Sequence, residues 1–175
     1  MKTKLAVTGM ILVGIVGCAH MAGMEEKEKI HGKNPPVIGQ SFASDRLNPG
    51  GLWKIYLQAS DPDGDMEAIL AAVDQPGIGA YPASITRIKG ENGKELSGYI
   101  FLNTSGQRDD DFLDNQELEV SVQIRDKAGH TSKPITHKVL ILARQTQKEP
   151  PPGVFKEEAL GPIMVVLQPV TGGRR

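Results

Sequence analysis

Three aspartates alternate along one short stretch of the chain, Asp61-Pro62-Asp63-Gly64-Asp65. Carboxylate oxygens are the ligands that hard cations such as Ca²⁺ prefer, so this spacing is typical of a cation-binding loop. The stretch also suits a type I turn, because Pro62 and Gly64 take turn positions and aspartate side chains readily bond to their own backbone. The sequence leaves both interpretations open, a cation site and a turn that needs no ion.

Other side chains capable of chemistry lack the spacing that a known reaction or metal requires. The stretch that begins at Asp61 is not an EF-hand loop, because Gly64 comes two positions too early and Ala72 stands where the closing glutamate belongs. No histidine has the spacing of a zinc site or of a partner for a nucleophile. The four histidines are His20, His31, His130 and His137. We therefore expect no enzymatic activity and no required cofactor.

The single cysteine, Cys18, follows a segment with the layout of a secretory leader. Lys2 and Lys4 give a positive start, and residues 5–16 form an uncharged, largely apolar run. This run is shorter than the ~20 residues that span a bilayer, which favours a cleaved leader over a permanent membrane helix. One cysteine cannot form an internal disulfide, so packing must stabilise the exported domain.

The end of this leader, Ile15-Val16-Gly17-Cys18, resembles the lipobox of bacterial lipoproteins. The resemblance implies cleavage after Gly17 and a diacylglycerol on the Cys18 sulfur. Two or more acyl chains hold a protein durably on a membrane surface. An aspartate after the cysteine favours retention in the inner membrane; Ala19 takes that position here, so we expect the outer membrane. The alternative is an ordinary signal peptide that is cleaved near a cysteine.

Charge and length limit the remaining choices. The formal net charge is −1 and becomes −3 when Lys2 and Lys4 leave with the leader (−1 minus 2), and the body has no run of basic residues. A nucleic-acid partner is therefore not expected. The 175 residues have room for one domain plus tails.

Apolar and polar residues alternate at two places, which predicts two strands with one buried face each. Those predicted to face the core are Trp53, Ile55, Leu57 and Ala59 in the first strand, and Leu118, Val120, Val122 and Ile124 in the second. Tyr56 falls on the opposite face of the first strand. Shorter runs at 85–89, 99–103 and 135–142 predict further strands, and we assign 66–73 as a strand although its composition also suits a helix. The fold class is therefore all-β.

Composition divides the chain into four parts. The leader occupies 1–17, and a polar, mixed-charge stretch at 18–34 without apolar periodicity predicts a flexible, lipidated tether. The domain is expected at 35–144, after the pair of prolines that begins at Pro35. A proline-rich linker and an apolar C-terminal tail occupy 145–175.

Two turns resemble those of the immunoglobulin-like modules of bacterial surface proteins, including cadherin-type and polycystic-kidney-disease-type domains. Ala59-Ser60-Asp61-Pro62-Asp63-Gly64-Asp65 matches the turn after the second strand, and Asp126-Lys127-Ala128-Gly129 matches the last hairpin, with His130 where asparagine is usual. The resemblance implies an antiparallel β-sandwich in which both loops lie at one end. Asp61, Asp63, Asp65 and Asp126 would then converge, which is the arrangement that a Ca²⁺ site needs.

The run Ile163-Met164-Val165-Val166-Leu167 is flanked by prolines near the end of the chain. Five consecutive apolar residues would invite aggregation if they stayed exposed. We predict that these residues either close the sandwich as a strand or bind a partner protein.

The sequence predicts a membrane-anchored, non-enzymatic binding or assembly lipoprotein of the bacterial cell envelope. Its partner would be an envelope protein or a glycan. The alternative is an accessory subunit that presents substrate to an enzyme or transport complex of the envelope.

Overall fold

The computed structural model describes residues 16–105 and 115–169, with side chains from Gly23 onward. The predicted leader therefore lies outside the described residues except for the backbone of its last two. The side chain of Cys18, the predicted acylation point, also lies outside them.

The described part of the chain forms one long helix, one short 3₁₀ turn and ten strands. The helix is α1 (Val16–His31). The strands are β1 (Val37–Ala43), β2 (Arg46–Leu47), β3 (Leu52–Ser60), β4 (Met66–Gln75), β5 (Gly79–Ala80), β6 (Ser84–Arg87), β7 (Glu95–Asn103), β8 (Gln116–Asp126), β9 (Ile135–Ile141) and β10 (Ala159–Pro162). Residues 66–73 lie within β4, so their assignment as a strand is confirmed.

The strands form two sheets packed face to face. The first has the order β1-β3-β7-β10, and the second has the order β2-β9-β8-β4-β5, with β6 also paired to β4. In this order β1, β3 and β7 take the places of immunoglobulin strands A, B and E, while β9, β8 and β4 take those of G, F and C. The long pairings are antiparallel, and the short pairs β2–β9 and β10–β7 are parallel. The predicted immunoglobulin-like sandwich is confirmed.

The core lies between the two sheets and is built from the alternating residues that the sequence predicted. Trp53, Ile55 and Leu57 of β3 and Val120 and Val122 of β8 are fully buried. Burying a side chain of this kind stabilises the fold by about 1.5–3 kcal/mol relative to leaving it exposed. Period-two alternation therefore fixes which face of each long strand points inward.

Tyr56 lies on the outer face of the first sheet, yet it is also buried. Its ring centroid is 5.3 Å from that of Tyr99 and 5.7 Å from that of Phe155. Its hydroxyl donates a hydrogen bond of 2.9 Å to Glu157 Oε2. Because Phe155 and Glu157 come from the C-terminal segment, this segment covers the face that alternation predicted to meet solvent.

The C-terminal segment closes the sandwich along the edge of β7. Strand β10 pairs with β7 in parallel, and the Thr86 hydroxyl of β6 donates a hydrogen bond of 3.1 Å to the carbonyl of Pro162. Strand β10 thus touches both sheets. A methyl group at Gly98 of β7 would lie 2.5 Å from the carbonyl oxygen of Glu158, so only glycine allows this close approach.

The apolar run that follows β10 divides between core and surface. Ile163 and Leu167 are buried within the core cluster and Val165 packs partly against it, whereas Met164 is 75% exposed and Val166 62% exposed. Of the two predicted alternatives, the structure has the closing segment, but residues 163–167 follow the strand β10 and are not themselves a strand. Partner binding by Ile163 and Leu167 is therefore wrong for this conformation, because both side chains fill the protein's own core. Partner binding by Met164 and Val166 stays a prediction.

The segment predicted as a flexible tether contains α1, which ends where it meets the sandwich. Gly32 follows the helix with a φ of 103°, and its amide donates a 2.9 Å hydrogen bond to the carbonyl of Glu28. This is a usual helix stop, because glycine adopts a positive φ without strain. Among the described residues, no helix combines the length and the apolar character that crossing a membrane requires.

Candidate metal centre

Two turns at one end of the sandwich bring the predicted aspartates together. Asp61 directly follows β3, Asp65 directly precedes β4, and Asp126 is the last residue of β8. Because β4 and β8 are paired, with Met66 opposite Asp126, the start of one strand lies beside the end of the other. The sheet register thus places the two loops at the same end, as predicted.

Three carboxylates form a compact group, here called the aspartate cluster: Asp61, Asp65 and Asp126. One oxygen from each lies within 4.8 Å of the other two. Asp61 and Asp126 are 1% exposed and Asp65 is 6% exposed. Buried carboxylates are rare unless they are paired or coordinate a metal ion.

Asp63, the fourth predicted ligand, is not part of the cluster. It is exposed on the outer side of the turn, where its carboxylate accepts hydrogen bonds from the Asn34 backbone amide (2.8 Å) and side-chain amide (2.9 Å). These bonds from Asn34 lower the pKa of Asp63. Its assignment as a ligand is wrong, because the turn points its first and last aspartates inward and the middle one outward.

The hydrogen bonds of the cluster leave two oxygens without a partner. Asp61 Oδ1 accepts from the amides of Asp63 (2.8 Å) and Gly64 (3.3 Å), and Asp65 Oδ2 accepts from the amide of Lys127 (3.2 Å). Asp61 Oδ2 and Asp65 Oδ1 are buried and accept no hydrogen bond from any residue that the structure describes. An unsatisfied buried acceptor of this kind costs about 1–3 kcal/mol, and more when charged.

Both carboxylate oxygens of Asp126 have a hydrogen-bond partner, unlike those of Asp61 and Asp65. Its Oδ1 accepts hydrogen bonds from the amides of Gly129 (2.6 Å) and His130 (2.7 Å), and its Oδ2 lies 2.9 Å from His130 Nδ1. The hairpin after β8 therefore orients this carboxylate before any ion arrives. Fixed orientation favours binding, because less freedom is lost when the ligand is bound.

The electrostatics of the cluster favour a positive charge. Burial raises the pKa of Asp61 and the charges of Asp65 and Asp126 add to this, while the amide of Asp63 works in the opposite direction. Three carboxylates this close together repel one another, which favours a positive charge beside them. A bound cation would relieve the repulsion and satisfy both unpartnered oxygens.

The dimensions of the cluster fit a single hard cation. Calcium binds oxygens at about 2.3–2.6 Å, so two ligands on opposite sides of one ion are separated by roughly twice that distance. The three oxygens of the cluster lie within this span, at no more than 4.8 Å from one another. Asp61, Asp65 and Asp126 would hold the ion, and Asp61 Oδ2 and Asp65 Oδ1 would turn from unsatisfied acceptors into ligands.

Sequence reasoning missed two residues beside the cluster, His130 and Glu28. His130 Nε2 lies 3.2 Å from Glu28 Oε1 of α1, and its Nδ1 faces Asp126. Burial lowers the pKa of His130, but the hydrogen bonds and charges of Glu28 and Asp126 outweigh it and raise the pKa overall. The Glu/Lys-rich composition around Glu28 could have indicated the helix, but no sequence signal indicates its contact with His130.

No protein-family model and no curated protein matches this sequence. Among solved structures, the PKD domain of an M14-like peptidase from a Thermoplasmatales archaeon is 17% identical; the match covers 63% of this chain and 99% of that chain with a TM-score of 0.38. The CARDB domain of a Pyrococcus furiosus protein, in complex with di-metal ions, is 9% identical over 64% of this chain and 94% of that chain, with a TM-score of 0.34. The strand order described above, rather than these similarities, places the chain among the immunoglobulin-like β-sandwiches.

Proposed function

We propose that the protein is a non-enzymatic binding or assembly lipoprotein of the bacterial cell envelope whose sandwich binds one calcium ion at the aspartate cluster. The observation that carries the calcium site is the pair of buried, unpartnered oxygens, Asp61 Oδ2 and Asp65 Oδ1. Hydrogen bonds within a turn would explain an aspartate that caps its own backbone. They do not explain two buried acceptors in the same cluster that receive no hydrogen bond from the described residues.

The envelope location rests on the lipobox-like motif that ends at Cys18. Acylation there would attach the chain to a membrane surface, and Ala19 favours the outer membrane. Immunoglobulin-like domains at such a surface present their loops and sheet faces to other envelope components. An envelope protein or a glycan is the proposed partner.

Calorimetry with CaCl₂ on the full-length protein tests the calcium site. We expect binding with a Kd on the order of 10⁻⁴–10⁻³ M, the range of extracellular modules. Asp61→Asn and Asp65→Asn should each weaken calcium binding at least tenfold, because each replaces a charged ligand with a neutral side chain of similar shape. Asp74→Asn is the matched control, since Asp74 is an exposed acid elsewhere on β4.

A second readout is thermal stability. An ion that binds only the folded state at 10 mM would add about 1.4–2.7 kcal/mol for a Kd in this range, which raises the Tm by several degrees. Absence of binding heat together with an unchanged Tm at millimolar calcium would contradict the site. Equal binding by Asp61→Asn and the wild type would also do so.

A further inference from the structure

The carboxyl end of α1 is fastened to the part of the sandwich that carries the aspartate cluster. His130 forms the first contact, with Nε2 3.2 Å from Glu28 of the helix and Nδ1 2.9 Å from Asp126 of the cluster. Glu28 and His130 have side chains that are only 20% and 14% exposed. One imidazole thus joins the helix to a proposed calcium ligand.

The second contact uses the turn that carries Asp61 and Asp65. The outward carboxylate of Asp63 accepts two hydrogen bonds from Asn34, just after the helix, while the amide of Asp63 donates to Asp61 Oδ1 at 2.8 Å. The inner side of the turn faces the cluster, and the outer side is hydrogen-bonded to Asn34, which follows α1. A change in the position of Asp61 would therefore be transmitted to Asn34.

Without a cation, this arrangement brings negative charges together. A helix carries roughly half a negative charge at its carboxyl end, and Glu28 lies in the last turns of α1. The cluster adds three carboxylates. Of the basic side chains nearby, His130 lies between Asp126 and Glu28, whereas Lys29 and Lys33 are exposed and therefore screened by solvent. A divalent ion adds two positive charges beside these carboxylates, so the repulsion that opposes docking of the helix falls.

We propose that the cation at the aspartate cluster locks the carboxyl end of α1 onto the sandwich, through His130–Glu28 and Asp63–Asn34. This rests on the proposed calcium site and adds a role to it. The helix contains Cys18, the proposed acylation point. The ion would consequently control how firmly the domain is held relative to its anchor.

Thermodynamic linkage makes the proposal quantitative. If calcium favours docking of α1 by a given factor, docking must strengthen calcium binding by the same factor. Asp63 ligates nothing in the proposed site, and its backbone amide, which bonds Asp61 Oδ1, is kept in any variant, so replacing its side chain tests the link through Asn34. Asp63→Ala is therefore the informative variant. Glu28→Gln, which keeps the shape of the side chain, is a second one on the helix itself.

Hydrogen exchange on the full-length protein measures docking directly. In 10 mM CaCl₂ we expect amides of residues 28–34 to exchange about 5–10 times more slowly than in EGTA, a typical size for such coupling. Asp63→Ala and Glu28→Gln should lose most of this difference and bind calcium more weakly by the same factor. Asp74→Ala, the control, should behave as the wild type does.

The outcomes separate the two proposals. If calorimetry shows calcium binding while exchange at residues 28–34 is the same with and without the ion, the lock is wrong and the calcium site stands. Wild-type affinity in Asp63→Ala would also overturn the lock. If the wild type binds no calcium, the site itself fails and the lock fails with it.

Discussion

His137 shows how burial alone changes the chemistry of one side chain. It lies half-buried on β9, and its Nε2 is 3.1 Å from the hydroxyl oxygen of Ser41. Burial lowers its pKa, because the charged imidazolium is poorly solvated there. The unfolded chain therefore binds a proton at His137 more readily than the folded protein does.

The sign of the resulting pH dependence follows from linkage. A histidine with a lowered pKa contributes stability that is present above its unfolded pKa, ~6.5, and lost as the pH falls through the folded value. We expect the free energy of unfolding of the wild type to fall more steeply between pH 7 and pH 5 than that of His137→Gln. Urea unfolding at a series of pH values measures this.

His31→Gln is the control for this experiment, because it makes the same substitution in α1, outside the two sheets. Its pH dependence should match that of the wild type. Identical slopes for His137→Gln and the wild type would contradict the effect of burial.

Single residues also show what local pattern can predict about a site. Asp61, Asp65 and Asp126 were predicted to converge, because turn motifs fix where their loops lie in an immunoglobulin-like sandwich. Asp63 was wrongly included among the ligands, because alternation of residue types does not show towards which side of a turn each carboxylate points. His130 was not predicted as a bridge, because its contact depends on the packing of a helix 102 residues away along the chain.

The segment after β10 contributes to the stability of the core. Ile163 and Leu167 fill the core, while their neighbours Met164 and Val166 point to solvent. We expect Ile163→Ala and Leu167→Ala each to lower the free energy of unfolding by about 2–5 kcal/mol, the usual cost of a cavity in a core. Chemical denaturation of the full-length protein measures the difference.

Met164→Ala and Val166→Ala are the matched controls, because they shorten apolar side chains of the same segment that remain exposed. Each should change stability by less than about 0.5 kcal/mol. Equal effects of the buried and the exposed substitutions would mean that the segment does not close the sandwich in solution.

Elements with a clear periodicity were predictable, and those without one were not. Strands β3 and β8 alternate strictly, and their buried faces are as expected. Strand β10 contains Gly161 and Pro162 and is paired with a distant edge, so no local signal marks it. Helix α1 lacks an apolar stripe, and its place on the sandwich depends on polar contacts such as Asp63 with Asn34.

For the complete protein, the central expectation is attachment to a membrane through Cys18. Expressed in a bacterium, the wild type should incorporate labelled fatty acid and sediment with membranes, whereas Cys18→Ser should do neither. The reason is that two or more acyl chains provide the anchoring free energy, at roughly 0.8 kcal/mol per buried CH₂. Equal sedimentation of variant and wild type would contradict lipid anchoring.

The position of β10 has a consequence for the order in which the protein acquires its structure. Chains fold progressively as they emerge during synthesis, yet here the edge of β7 and the core sites of Ile163 and Leu167 are filled by residues that follow the other described strands. A nascent chain that lacks these residues would keep an unpaired strand edge and exposed apolar surface, both of which make incompletely folded chains prone to aggregation. We therefore expect the sandwich to become resistant to proteases only once residues 159–167 are available to close it.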